Sequence, residues 1–403
     1  SYTTNTDVGN VTTYTLSEVS IDSSISVTAY DGNADGTDDQ VEGYQSWFAT
    51  AIIPPYSGPV WYVSTSGSDA NEGSQSEPFA KIQTAIDSSS NGDTVLVAAG
   101  TYVENIDIDK DIVVGSLMLT TQDTSTITST IIDANSSGRG VLFSSGSSTT
   151  VLDGFTIKNG SALYGGGIHI KSTSAPTLRN LLVTNNSSTG SEGNYGYGGG
   201  IYATASFSLS NSVVSNNTAD FSGGISASGN QVSITNVTIS GNTANRHDGG
   251  ISLSGLSYYD AVLSNCIISD NASLIWGAGG IGLDGNFSPV FYNCLIKNNN
   301  AQQYGGAVAI GGGGQGPIFV NCTFVENTTD LGGNVGFYMN GSEMTFINSI
   351  LWNSGAEQIE FNSTGENALT FANSVLKGGI ESIESLYNYE WNDVSWDGAG
   401  NMD

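Results

Sequence analysis

Oxygen-bearing residues recur with a fixed rhythm in Asp31-Gly32-Asn33-Ala34-Asp35-Gly36-Thr37-Asp38-Asp39-Gln40-Val41-Glu42. A hard cation such as Ca²⁺ takes about six to eight oxygen ligands. Asp31, Asn33, Asp35, the Thr37 carbonyl, Asp39 (directly or through water) and a bidentate Glu42 would supply them, with Gly36 making the turn. Ca²⁺ is the cofactor this spacing predicts; an acidic surface turn is the other reading. Asp38 stands where an aliphatic residue is usual in such loops, and the flanks read as strand. A second group, Arg246-His247-Asp248, puts a cation, an imidazole and a carboxylate side by side. Proton abstraction next to the carboxylate of an acidic sugar needs such groups; an exposed loop with a local ion pair is the alternative. Asp220 and Trp276 are expected as its neighbours, and His169, Lys171 and Arg179 form the next basic cluster. A third set is aromatic. Tyr164, Tyr195, Tyr197, Phe221, Trp276 and Tyr304, with His247 among them, precede successive glycine pairs, so they should form a row on which sugar rings could stack or whose rings pack on one another.

The elements that carry these groups are set by a repeat. Gly-Gly followed by an apolar residue occurs at 166–168, 199–201, 223–225, 249–251, 279–281 and 305–307, a period of roughly 24 to 33 residues that signals a solenoid whose coils bury their apolar faces on one another. In step with it runs an asparagine, a short β-prone run and a second asparagine, as in Asn265-Cys-Ile-Ile-Ser-Asp-Asn. Residues two before the first asparagine (Leu178, Leu209, Ile234, Leu263, Phe291, Phe319, Phe346) and one and three after it should point inward. The asparagine itself sits at a bend, and stacked amides could bond along the axis. Gly-Gly reads as a turn tolerating positive φ, with Ile168, Ile201, Ile225, Ile251 and Ile281 opening the next inward column. Cys266, Cys294 and Cys322, each 28 residues apart, should stack about 4.8 Å apart with parallel side chains, as buried thiols and not a bridge. Leu182, Val213, Thr238, Ile267, Leu295, Thr323, Ile350 and Val375 should alternate outward although mostly aliphatic. Residues 1–60 folding back, or another subunit or domain, would cover them.

Composition narrows the class further. With 53 glycines among 403 residues and 12% charged, the chain suits short strands joined by tight turns, and long helices are not expected. Nine basic residues against 38 acidic ones give a net charge of −29, which repels nucleic acid and anionic membranes. No apolar run reaches membrane-spanning length. These signals divide the chain into a β-rich extension over 1–60, a cap with the first strands over 61–106 including a short amphipathic helix over 79–90, and parallel coils over 107–403. About ten coils are expected, with the natural polypeptide continuing past Asp403.

The segment Tyr62-Val-Ser-Thr-Ser-Gly-Ser-Asp-Ala-Asn-Glu-Gly through Gly92-Asp-Thr-Val-Leu-Val-Ala-Ala-Gly-Thr-Tyr-Val-Glu-Asn-Ile106 resembles the capping region of pectate-lyase-like secreted proteins. The Gly-Gly-Ile and Asn-Asn-Thr-Ala units resemble the repeats of polymorphic outer-membrane proteins. The resemblance covers about four fifths of the chain and implies an all-β, right-handed parallel β-helix in an exported bacterial protein, secreted or at the cell surface. One such scaffold hosts lyases, hydrolases, esterases and inert adhesins. The carboxylate sets of galacturonan hydrolases and pectin esterases are not recognisable here. The functional reading is a rigid structural or adhesive module with Tyr164, Tyr197, Phe221, Trp276 and Tyr304 as glycan-facing rings; its partners are a polysaccharide or cell-surface glycan, and other domains or a second copy. The alternative is a lyase acting on an acidic glycan.

Overall fold

A computed structural model describes residues 60–229, 231–255, 261–331, 336–355, 358–361, 367–385, 392–397 and 401–402. The expected N-terminal extension and the 31–42 loop therefore lie outside the described residues. The chain divides into two units, Ser1–Ser57 and Gly58–Asp403, and all the described residues belong to the second.

That unit is a right-handed parallel β-helix of about ten turns. Each coil begins with a strand after the glycine pair, such as Ile168–Ile170, Ile201–Ala203 or Ile225–Ala227, and these stack in register as Val141, Ile168, Ile201, Ile225, Ile251 and Ile281. A second face has two arms per coil, seen in Ala261–Ser264 and Ile267–Ser269. The hinge between them is the first asparagine of the repeat, held left-handed at φ 54° in Asn265, 53° in Asn293 and 54° in Asn321. Asparagine tolerates that region because its short amide bonds locally. The inward columns are buried as expected, with Leu263, Phe291, Phe319 and Phe346 at 0% exposure. Phe291, Phe319, Phe346 and Phe371 stack ring on ring at 4.8 to 5.4 Å.

Two expectations need correction. The Gly-Gly pair is not there for positive φ: the left-handed residue precedes it, at Gly165, Gly198, Ser222 and Asp248. The pair instead permits close approach, since a Cβ on Gly250 would lie 2.5 Å from the Gly280 carbonyl oxygen and one on Gly249 2.5 Å from that of Ala272. The cap helix is shorter than 79–90, running Ile82–Ser88 with Ile82, Ala85 and Ile86 buried. Glu104 accepts the backbone N–H of Ile82 and Gln83 (2.9 and 3.0 Å), and Lys110 Nζ donates to the carbonyls of Ile86, Asp87 and Ser89. A carboxylate thus closes one end and an ammonium the other, as the helix dipole favours. Two further short helices, Met118–Thr121 and Ser125–Ser129, carry no signal in the repeat; Met118 and Leu119 lie over Gly154 and Gly115 of the first coils.

Cys266, Cys294 and Cys322 form the expected file, free and buried. The flanking thiols and burial push the Cys294 thiol far up, so it stays protonated. The outward aliphatics are exposed where expected, with Val213, Ile267 and Ile350 each more than a third open. No helix among the described residues is long and apolar enough to cross a membrane.

Candidate functional site

After its second arm every coil turns a corner. A left-handed residue (Asn185, Asn216, Gly241, Asp270, Asn298) is followed by an asparagine whose side chain points inward. Asn186, Asn217, Asn242, Asn271, Asn299, Asn327 and Asn353 are at most 2% exposed. Each amide from Asn186 to Asn327 donates to the next one's oxygen at 2.9 to 3.0 Å. The same oxygen accepts that residue's backbone N–H, as from Asn271 to Asn299 at 3.1 Å. From Asn186 to Asn327 the polar groups of the corner are therefore satisfied without water, while Asn353 Nδ2 at the end of the file has no partner among the described residues. Sequence spacing places stacked amides at the first asparagine, where exposed bonds do link Asn236 to Asn211 and Asn293 to Asn265. The buried file on the second asparagine is a feature that spacing does not reveal.

Beyond the corner, short strands such as Ser187–Ser188, Thr218–Phe221 and Thr243–His247 lead to the aromatic row. Register across the coils pairs Tyr164 with Tyr197, Tyr197 with Phe221 and Phe221 with His247. The rings stack nearly parallel, at 5.9 Å and 11°, 4.8 Å and 12°, and 5.0 Å and 8°. Trp276 continues the file at 5.5 Å and 45° to His247. The inner rings thus spend their faces on each other and present edges to solvent, while the end rings, Tyr164 and Trp276, are 39% and 37% exposed. Tyr304 is set apart, packing on Tyr338 at 4.4 Å.

Arg246, His247 and Asp248 are adjacent in sequence but each is engaged by a different neighbour. Ala219 pairs Ala244 while Phe221 pairs His247, so one extra residue bulges out between them and re-aims the side chains. The extra residue is legible in the spacing, since six positions separate Asn217 from Gly223 and seven separate Asn242 from Gly249. The bulge sets Asn245 beside Asp220, its amide 3.2 Å from the carboxylate. The Arg246 guanidinium lies 4.2 Å over the Tyr195 ring and 5.9 Å from that of Trp276. Burial alone would raise the Asp220 carboxyl, but N–H groups of Gly196 and Gly190, the Asn245 amide and the Arg246 charge outweigh it and hold it below the usual range. The expected neighbours Asp220 and Trp276 are thus both there.

His247 belongs to the ring file. Burial, helped by Arg246 and opposed by Asp248, holds its pKa below the usual value, so the ring is neutral near pH 7. Asp248 folds over Gly282, where an added Cβ would collide with its carboxylate. It accepts the Ala278 N–H at 2.9 Å, and burial raises its carboxyl despite that bond. The three groups do not converge on one point.

The second basic cluster sits on the outer face of the first strands, where Asp107, Leu142, His169 and Tyr202 are vertical neighbours. His169 packs 5.2 Å from the Tyr202 ring. Arg179, expected near it, is instead buried in a 2.8 Å ion pair with Asp153. Among the described residues no group of three or more His, Cys, Asp or Glu could hold a metal.

Fold and site together define a parallel β-helix with a stacked aromatic edge. The right handed beta helix region model matches residues 86–260, 139–324 and 223–392, and the chain belongs to that family. "Uncharacterized protein YwoF" of Bacillus subtilis (strain 168) is 42% identical over 52 residues, 13% of this chain and 11% of that protein; the chain therefore spans about a tenth of that relative's length. Among solved structures, XylC in complex with xylose is 11% identical over 84% of this chain and 86% of that one, with a TM-score of 0.50. Pectate lyase Pel9A is 15% identical over 86% and 82%, with a TM-score of 0.47. At these identities the likeness concerns the fold alone.

Proposed function

We propose that this chain is a rigid, glycan-binding β-helix module of an exported surface protein, with the ring file as its contact edge. The observation that carries the reading is the five-ring stack from Tyr164 to Trp276, one ring per coil, whose two end rings are each more than a third exposed. A sugar needs a free ring face, so Trp276, with the Arg246 guanidinium beside it, and Tyr164 are the contact points, while Tyr197 and Phe221 support them and Tyr304 offers a separate ring. The dispersal of Arg246, His247 and Asp248 over separate neighbours favours binding over catalysis. Affinity electrophoresis against alginate, pectin, chondroitin and ulvan tests this. Retention of the native chain and at least a tenfold loss in Trp276→Ala, against about twofold in Phe221→Leu, is expected from an aromatic contact of roughly 1–3 kcal/mol. Equal retention of all three proteins would overturn the assignment to the ring edge. Release of unsaturated sugar from any of these polymers would replace it by the lyase reading, with His247 as base.

The 31–42 loop enters the proposal as a Ca²⁺ site through Asp31, Asn33, Asp35, Thr37, Asp39 and Glu42. Calcium should raise the melting temperature of the whole chain and a chelator reverse it; identical melting in both would remove the metal.

A further inference from the structure

Cations are scarce in this protein, and most of the nine have internal duties. Lys81, Lys158 and Arg179 pair with Asp69, Asp133 and Asp153. Lys110 and Lys377 donate to clusters of backbone carbonyls, and Arg246 lies over two rings. Of the remaining three, Lys297 lies several coils away at the end of the strand Leu295–Lys297; Arg139 and Lys171, neither of them in an ion pair among the described residues, belong together. They lie close enough to His169 for both charges to act on its ring, on the outer face of the coils beginning at Val141 and Ile168. Arg139 stands at the position that the next coil fills with Gly166, the first glycine of its pair, so a long cationic side chain takes the place of that glycine in this coil. Asp107, a carboxylate whose field acts on Arg139, accepts from Ser144 Oγ at 2.6 Å.

Among the described residues, two nitrogens in this cluster, Arg139 Nε and His169 Nδ1, are buried without a hydrogen-bond partner. An enclosed unpaired donor is costly and calls for a missing partner. The Tyr164 and Tyr202 rings stand beside the imidazole, at 6.4 and 5.2 Å, which gives the cluster an apolar flank of the kind sugar rings use. We propose that Arg139, His169 and Lys171 form a site for the oxyanion, carboxylate or sulfate, of an acidic saccharide. The inference rests on the glycan-binding reading and names the class of sugar, extending the contact edge past its Tyr164 end. In the field of a net charge of −29, long-range attraction cannot draw the anion in, so directional bonds from the guanidinium must hold it.

Calorimetry of the full chain with galacturonate, galactose and sodium sulfate tests the site, with circular dichroism and melting of each variant as the folding control. Galacturonate should bind at least about tenfold more tightly than galactose, sulfate should compete with it, and Arg139→Gln should lose about tenfold and Lys171→Gln about threefold in galacturonate affinity. Lys297→Gln, which removes a charge several coils away from the cluster, should leave galacturonate affinity unchanged. Equal affinity for galactose and galacturonate, or full affinity in a folded Arg139→Gln, Lys171→Gln double variant, would overturn the proposal. Sulfate binding without galacturonate binding would overturn the saccharide part. Polymer retention that ignores these variants and shows no preference for acidic chains would sink this inference and spare the glycan reading. Galacturonate binding without retention of any polymer would do the reverse.

Discussion

Two vertical files run along the coils, an inward one at the corner and an outward one beyond it, at the end of the short strands that follow. The inner file repeats a single residue: Asn186 through Asn327 each donate the same bond to the next amide, and all members to Asn353 are closed to water. The outer file changes residue at three of its four steps, from two tyrosines through phenylalanine and histidine to tryptophan, keeping only the flat ring. Inside, a donor must meet an acceptor at one distance and an unpaired group costs the full desolvation penalty, so the residue type is fixed. Outside, edges remain hydrated and any flat ring continues the stack. Variation is confined to the file where variation is cheap.

The sharpest way to break this contrast is Asn299→Ala. It strips the acceptor from the backbone N–H and amide of Asn271 and a donor from the Ile268 carbonyl, for a loss of about 3–5 kcal/mol, read as a fall in the urea midpoint at unchanged slope. At Asn293, whose amide is exposed and whose φ is 53°, Ala should cost about 1–2 kcal/mol for the left-handed backbone and Gly should restore most of it. A loss at Asn293→Gly as large as at Asn299→Ala would show that the outer amides matter as much as the inner ones. Phe221→Leu should cost about 1 kcal/mol.

The smallest effect is a pH dependence at the top of the outer face. Burial, then the Arg139 and Lys171 charges, lower the His169 pKa from 6.5 to about 4. A depressed histidine binds its proton more readily unfolded, so its contribution is present above about pH 6.5 and lost as pH falls toward about 4. His169→Gln should flatten the melting temperature over that window; an unchanged slope would refute the assignment.

The period, the inward columns and the thiol file could be read from letters because a solenoid writes its register into sequence spacing: equal offsets become vertical neighbours. The buried amide file was harder to see, since adjacent asparagines such as Asn216-Asn217 and Asn298-Asn299 look alike, yet one bends the backbone and the other fills the interior. Arg246-His247-Asp248 reads as one cluster from its adjacency in the chain. A one-residue bulge and the space over Gly282 distribute its side chains among three environments.

The sequence determined the coil, its columns and the positions of its bends, because those depend on which residue recurs at which interval. Tertiary structure decided which ring faces stay open, where Asp248 folds and which cations are left over. Those outcomes depend on the coils above and below, and on distances of a few ångströms that spacing along one strand does not encode.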